Sequence, residues 1–126
     1  MSSRTIFTYE EAASLVEVVR DTTRSADERL NSIRAELERA TPGSSGAAKL
    51  KEWINTVIQT WAQDIEKIGG LPKGIWTVDF DSGEGYYYCW SLDEEALEHY
   101  HGYQEGFSGR KPLSELGVQP ISGVLN

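Results

Sequence analysis

The residues with the richest chemistry lie in the segment YHGYQEGFSGRKPL, at residues 100–113. Its glycines allow successive backbone N–H groups to turn toward one point, and Arg110 adds a forked donor beside them. Such a turn can bind a carboxylate or a phosphate. The alternative is that Arg110 pairs with an acid of the chain itself, Glu10 or Asp79, and fixes the C-terminal segment to the fold. Both interpretations place Arg110 at a partly buried polar centre.

A glutamate and a histidine of this region have the spacing of a metal-binding pair. Glu98 and His101 are three residues apart, which places them on one face of a helix, as in carboxylate-bridged helical bundles. A catalytic metal normally takes about three protein ligands, and folding would have to bring in His99 or Asp79. We therefore expect no metal, and keep Glu98 and His101 as the candidates if one binds.

Cys89 is the only cysteine of the chain, so neither an intramolecular disulfide nor a paired-thiol site can form. A cysteine on a strand is usually buried and inert, and the alternative is a nucleophile assisted by His101. The sequence has no GxSxG elbow, no phosphate-binding loop and no dinucleotide fingerprint. We expect no cofactor, and whether the protein is an enzyme stays open.

The chain is acidic, with 12 basic and 20 acidic residues and a net charge of -8 in 126 residues. Negative charge repels phosphate backbones and anionic lipid surfaces, so we expect binding to neither nucleic acid nor membranes. The N-terminus lacks the apolar core of a signal peptide. Together with the single cysteine, this indicates a cytoplasmic protein. The length fits one domain over residues 1–126.

Two long helices are predicted to form an antiparallel hairpin over about residues 9–68. The sequence T-Y-E-E is a capping box that starts a continuous first helix at Tyr9. The segment TPGSSG ends this helix, and a second helix with a stripe of Trp and Ile residues runs from about Ala47 to Ile68, where Gly69 and Gly70 cap it. About 55 C-terminal residues are too few to cover both apolar stripes, so we expect homodimers through the hairpin.

A β-hairpin is predicted over about residues 75–91, where β-branched and aromatic residues flank the turn DSGEG. The more polar face of this hairpin, with Asp79 opposite Tyr87 and Thr77 opposite Cys89, is the better place for a ligand. The other face is apolar and is predicted to pack in the core, with the pairs Phe80–Tyr86, Val78–Tyr88 and Trp76–Trp90.

A short helix is predicted to follow, because S-L-D-E at residues 91–94 is a second capping box. This helix, to about His101, and the segment GFSGRKPL occupy about residues 92–113, and a tail with little apolar periodicity covers 114–126. Residues 4–7 could add a third, edge strand to the hairpin. The expected class is α+β: a long antiparallel helical hairpin packed with a small antiparallel sheet and a short C-terminal helix.

Three segments share their order and spacing with a known pattern: FTYEEAASLV, then VDF with YYYCWSL after a turn, and then YHGYQEGFSGRKPL. They resemble the bacterial family catalogued as domain of unknown function 2203, over about residues 7–113. The terminal motif is the most specific, because a histidine followed at a fixed distance by GFxGRxPL is a long pattern. Where the family shows W-H-E, this chain has Tyr100, His101 and Gly102, so an acid beside the histidine is missing.

The resemblance implies positions rather than an activity, because the family has no established function. Its pattern falls on Phe7, Thr8, Glu10, Glu11, Ala12, Val78, Asp79, Phe80, Cys89, Trp90, His101, Gly106, Phe107, Gly109, Arg110, Pro112 and Leu113. We take as candidate ligand-binding residues Arg110, His101, Asp79, Glu11, Trp90 and Gly109.

Two functional hypotheses follow from these residues. The first is a non-catalytic interaction protein, or one that binds a small anion in a polar pocket near Arg110, His101 and Asp79. The alternative is a small metal-dependent or acid–base hydrolase that uses His101 with Glu98 or Asp79.

Overall fold

The computed structural model describes residues 5–119 as three α-helices and a five-stranded antiparallel sheet, which confirms the α+β class. The helices are α1 (Tyr9–Ser14), α2 (Val16–Arg39) and α3 (Ser45–Ile68). The strands pair in chain order and are β1 (Leu71–Pro72), β2 (Thr77–Asp81), β3 (Tyr86–Ser91), β4 (His99–Gly102) and β5 (Lys111–Pro112). Short 3-10 turns lie at Phe107–Gly109 and Leu113–Leu116.

The predicted helical hairpin is confirmed, and its ends are set by local chemistry. Thr8 Oγ1 accepts a hydrogen bond from Glu11 N, and Glu11 Oε1 accepts one from Thr8 N, so the capping box forms as predicted. Helix α3 ends where Gly69 adopts a left-handed conformation with φ 113°. None of the helices in residues 5–119 combines the length and apolar character that a bilayer crossing requires.

The first helix is not continuous, which corrects the prediction. Leu15 N donates to Ala12 O at 3.0 Å, three residues back, and this tighter turn separates α1 from α2. Tyr9 and Val16 are buried on either side of the turn, so the short helix α1 and the long helix α2 both contribute side chains to the core. The sequence carries no Gly or Pro at this point, and nothing in its pattern indicated the break.

The β2–β3 hairpin forms, but its register differs from the prediction by two residues. The observed pairs include Asp79 with Cys89 and Asp81 with Tyr87. Because side chains alternate along a strand, a shift of two changes every partner and leaves each residue on its predicted face. The predicted packed face is therefore confirmed: the core includes Trp76, Val78, Phe80, Tyr88 and Trp90.

The predicted short helix after the hairpin is wrong. Half of its capping box exists, since Glu94 Oε1 accepts a hydrogen bond from Ser91 N at 2.8 Å. The following residues nevertheless extend, and His99–Gly102 becomes strand β4 between β3 and β5. This segment has no helical apolar periodicity. Hydrogen bonds to two neighbouring strands therefore satisfy its backbone better than two helical turns would.

The chain ends deviate from the sequence predictions only locally. No strand forms at residues 5–7, although Phe7 N donates to Asp81 O at 2.8 Å beside the end of β2. Arg4, the first residue of that predicted edge strand, lies outside the described residues. The predicted tail begins within the Leu113–Leu116 turn, and its residues 120–126 lie outside the described residues as well.

Self-association through the helical hairpin stays a prediction, and Trp53 offers the means to test it. Trp53 on α3 is 48% exposed, and Ile33 and Leu37 on α2 are only half-buried. We expect light scattering to give twice the chain mass, and Trp53→Glu to weaken the dimer about tenfold or more by placing a charge in an apolar interface. A wild-type protein that stays monomeric at all concentrations would contradict this prediction.

Candidate functional site

The polar face of the sheet brings together an aspartate, a cysteine and a histidine from three adjacent strands. Asp79 lies on β2 opposite Cys89 on β3, and His101 lies on β4 opposite Tyr87 of β3. Their neighbours along the strands, such as Val78, belong to the core on the other face. Alternation along short strands therefore builds this cluster on the face away from the core side chains.

The centre of the cluster is a buried histidine–aspartate pair. His101 Nε2 lies 3.0 Å from Asp79 Oδ2, and the two side chains are only 4% and 1% exposed. The other ring nitrogen, Nδ1, lies 3.0 Å from Gly102 O. A carbonyl oxygen only accepts hydrogen bonds, so Nδ1 carries a hydrogen, and a second proton lies between Nε2 and the carboxylate.

Cys89 completes the cluster. One ligand atom from each of Asp79, Cys89 and His101 lies within 4.8 Å of the other two, and all three residues are buried. Burial raises the pKa of the Cys89 thiol far above its ordinary value, and the Asp79 carboxylate raises it further. The thiol is therefore neutral, and the nitrogens of His101 bond to Asp79 and Gly102 instead, which gives no support to a histidine-activated nucleophile.

A cavity of about 530 Å³ covers this cluster. Asp79, Cys89 and His101 form part of its lining, together with residues from two segments outside the central strands. The first segment is the loop before β2, and the second is the chain after β4. These segments contribute Lys73, Gly74, Ile75, Tyr103, Glu105, Gly106 and Phe107.

Aromatic rings form much of the cavity wall. The ring centroids of Tyr87 and Tyr103 are 4.8 Å apart, and Lys73 Nζ lies 5.4 Å from the centroid of Tyr87. The Tyr103 hydroxyl donates to Asp81 Oδ1 at 2.6 Å, which holds the ring in place. Phe107 lines the cavity although it is 54% exposed. Exposed aromatic surface beside a cavity is typical of ligand sites.

Arg110 does not line this cavity, and it pairs instead with an acid of the chain. Its guanidinium binds Glu94 Oε2, and the Arg110 and Glu94 side chains are 10% and 17% exposed. His99 Nδ1 lies 2.9 Å from the same carboxylate oxygen, and the Arg110 guanidinium carbon lies 4.4 Å from the centroid of Phe107. The internal-pair interpretation is therefore the supported one, with Glu94 as the partner instead of Glu10 or Asp79.

Two backbone N–H groups of the GFSGRK segment form hydrogen bonds within the segment. Gly109 N donates to Gly106 O at 2.9 Å, and Arg110 N donates to Phe107 O at 3.2 Å. These N–H groups close a 3-10 turn and are not turned toward a common point outside it. The segment therefore holds Phe107 and Arg110 in place and has less of the character of an anion-binding turn.

The remaining predicted site residues lie away from the cavity. Glu11 is exposed and caps α1, and Trp90 is buried in the core, where its Nε1 donates to Glu94 O at 3.0 Å. Gly109 belongs to the 3-10 turn. Glu98 is exposed whereas His101 is buried, and no helix joins them, so the helical metal pair does not form. Of the predicted site residues, the cavity brings together Asp79 and His101.

Sequence reasoning missed the role of Cys89 and the aromatic wall. Cys89 is buried, as expected for a strand cysteine, and it lies on the polar face with Asp79, where the sequence placed it, although it was not chosen as a site residue. The alternation of core and polar residues along β3 correctly predicted that Cys89 lies on the polar face. This alternation was the signal that could have drawn attention to Cys89. Lys73 directly follows β1 and Tyr103 directly follows β4. Tyr103 lies in the segment at residues 100–113 that the sequence singled out, whereas no sequence pattern pointed to Lys73.

Comparison with known proteins identifies a family. A family model described as an uncharacterized conserved protein, DUF2203, matches residues 5–113. This match confirms the resemblance found in the sequence, and its range includes the cavity cluster and Arg110. No curated protein and no solved structure matches the chain.

Proposed function

We propose, for a chain that belongs to the DUF2203 family of uncharacterized conserved proteins, that it binds a small molecule in the cavity on the polar face of its sheet. The observation that supports this most is the composition of the floor. Three buried groups that can exchange protons, Asp79, Cys89 and His101, line a cavity of about 530 Å³. Buried titratable groups beside a cavity of this size are typical of binding and active sites.

The aromatic wall favours a ligand with a flat or apolar part. Tyr87, Tyr103 and Phe107 offer ring surface to the cavity, and ring stacking stabilises a bound aromatic group beyond the burial of its area. Ile75, 52% exposed, adds apolar surface to the lining. A polar group of the same ligand would then meet the floor.

The lining favours a neutral or positively charged ligand over an anion, since its aromatic faces attract cations and its charged groups offset one another. Asp79 shares a proton with His101, so that pair carries no net charge, and the Glu105 carboxylate offsets the Lys73 cation. The small anion expected from the sequence has less support, because Arg110 binds Glu94 and does not line the cavity. An anion would bury its charge against a floor that has no net positive charge to compensate it.

Acid–base hydrolysis is the second candidate function, and the His101–Asp79 pair in the cavity favours it. Both nitrogens of His101 already have partners, so a substrate could reach the imidazole only by displacing Asp79. We therefore expect wild type and His101→Gln to hydrolyse p-nitrophenyl acetate at equal rates. A rate for the folded wild type well above that of His101→Gln would support the hydrolase instead.

Three probes with the same ring and different charge test the binding proposal: phenol, benzylamine and benzoate. In chelator-containing buffer, saturation-transfer NMR should show phenol and benzylamine bound with dissociation constants on the order of 1 mM, which suits ligands of this size. Benzoate should bind at least about threefold more weakly, because the lining has no net positive charge to compensate the carboxylate that benzoate would bury.

Two matched variants locate the binding. Phe107→Ala removes a wall ring and should weaken phenol binding, whereas Trp53→Ala removes a similarly exposed ring on α3 and should leave it unchanged. If none of the probes bound, or if benzoate bound most tightly, the proposal would be wrong. Equal losses in both variants would place the binding outside the cavity.

A further inference from the structure

The floor of the cavity has the donor atoms of a transition-metal site. Asp79 offers a carboxylate oxygen, Cys89 a sulfur and His101 a ring nitrogen, all within 4.8 Å of one another. A tetrahedral zinc ion with ordinary bond lengths holds its ligand atoms about 3.3 to 3.8 Å apart. His101 Nε2 and Asp79 Oδ2 are already 3.0 Å apart, so small side-chain movements would bring the set to metal-binding distances.

The orientation of His101 is the one that a metal ligand needs. Its Nδ1 donates to Gly102 O at 3.0 Å, which fixes the ring and directs Nε2 toward Asp79. Metal-binding histidines usually donate their second nitrogen to a carbonyl or carboxylate in this way. The backbone of β4 therefore supplies the outer hydrogen bond of the site.

Asp79 carries an unused acceptor at the same place. Its Oδ1 is buried and has no partner of hydrogen-bond geometry within residues 5–119, although the side chain is only 1% exposed. A buried carboxylate oxygen without a partner is destabilising and rare in folded proteins. A cation beside the carboxylate would satisfy it.

The charge of the donor set also matches a divalent ion. A thiolate at Cys89 and a carboxylate at Asp79 carry two negative charges in total, and a neutral His101 adds none. A divalent cation makes the buried cluster neutral, which removes the cost of burying uncompensated charge. Sulfur, nitrogen and oxygen donors together suit zinc better than magnesium or calcium, which prefer oxygen alone.

From these four observations we infer that Asp79, Cys89 and His101 form a zinc-binding site at the floor of the cavity. Binding releases the thiol proton and the proton between His101 and Asp79 to solvent, so affinity rises with pH. Three protein ligands leave a fourth position, and that position faces the cavity because all three residues line it. This inference rests on the proposed function only for the use of the fourth position by a small molecule.

Cobalt(II) is the probe for this site, because its spectrum reports on the ligands. Tag-free protein, freed of metal by a chelator and dialysed, is titrated with cobalt chloride. We expect a thiolate-to-cobalt charge-transfer band in the near ultraviolet that saturates at one cobalt per chain and disappears when zinc sulfate is added. We also expect zinc to raise the melting temperature, since it binds only the folded protein. A wild-type protein without the band would overturn the inference, whatever the variants do.

Variants assign the ligands. Cys89→Ser should abolish the charge-transfer band, and Asp79→Asn should lower zinc affinity at least about 100-fold, since a direct ligand matters at least as much as the outer partners of a metal site. His101→Gln should lower affinity similarly, whereas His99→Gln, a histidine two residues away beside Glu94, should not change it. A band that survives in folded Cys89→Ser would also overturn the inference.

The outcomes separate this inference from the proposed function. If cobalt gives no band while phenol and benzylamine still bind in chelator, the metal site is wrong and the small-molecule cavity stands. If cobalt binds as expected and none of the three ring probes binds, the metal site stands and the small-molecule proposal fails.

Discussion

Replacing Val78 with aspartate is expected to remove more than about 4 kcal/mol from the free energy of unfolding. Val78 lies in the middle of β2, is 0% exposed and belongs to the core, between its strand partners Trp90 and Pro72. Its Cγ1 would lie 2.7 Å from a Cβ placed on Gly70, so the space around it is already filled. A carboxylate there would be buried in an apolar environment without a partner.

Urea unfolding followed by circular dichroism measures this effect. Val18→Asp is the matched control, because Val18 is 45% exposed near the start of α2, and it should change stability by less than about 1 kcal/mol. If Val78→Asp cannot be purified folded, Val78→Ala should still cost about 2 kcal/mol. An aspartate variant as stable as wild type would mean that the packed face of the sheet is wrongly assigned.

Replacing Arg110 with alanine is expected to cost about 2 to 4 kcal/mol, because it removes the cation that binds a partly buried carboxylate. Glu94 keeps the hydrogen bond from Ser91 N and its contact with His99, so the loss is smaller than for a carboxylate with no other partner. The alanine also loses the packing of the guanidinium on Phe107. Thermal and urea unfolding should both report the loss.

Arg24 provides the matched control for Arg110. It lies 3.6 Å from Glu95, but the two side chains are 52% and 67% exposed. Such surface pairs contribute at most about 1 kcal/mol, so Arg24→Ala should have little effect. The double variant Arg110→Ala, Glu94→Ala should lose less than the two single variants together, by at least about 1.5 kcal/mol if the pair acts as a unit.

The opposite outcome would favour the anion site expected from the sequence. In that case Arg110→Ala would keep wild-type stability and would lose any thermal shift that sulfate or phosphate gives the wild type. Unchanged stability together with no anion effect in the wild type would make Arg110 a side chain of no energetic consequence. The stability of Arg110→Ala and the thermal shift that anions give the wild type therefore decide whether Arg110 forms an internal pair or contacts a ligand.

The site illustrates how much of a functional region local patterns can predict. Alternation along the predicted hairpin correctly placed Asp79 on the polar face and Val78 in the core. It did not identify Cys89 as the neighbour of Asp79, because the predicted loop gave Asp79 the partner Tyr87. The error of two residues in register has no local signature, since both registers bury the same residues.

The chain after Ser91 shows more clearly what local sequence patterns fail to predict. Its capping-box sequence is real, and Glu94 does bond to Ser91 N, yet the segment becomes a turn and a strand. Strand β4 forms because the neighbouring strands satisfy the backbone of His99–Gly102, and such neighbours cannot be seen from a short stretch of sequence. The same non-local pairing changes His101 from a helix residue next to Glu98 into the partner of Asp79.

The sequence by itself determined the features that depend on residues close along the chain. These include the start of α1 at Tyr9, the end of α3 before Gly69, the apolar and polar faces of the hairpin, and the membership of the family. The tertiary structure alone decided which polar residues meet. Asp79, Cys89 and His101 come together, and Arg110 binds Glu94, through strand register and chain return. Capping and alternation are local energies, whereas register and pairing depend on contacts between residues far apart in the sequence.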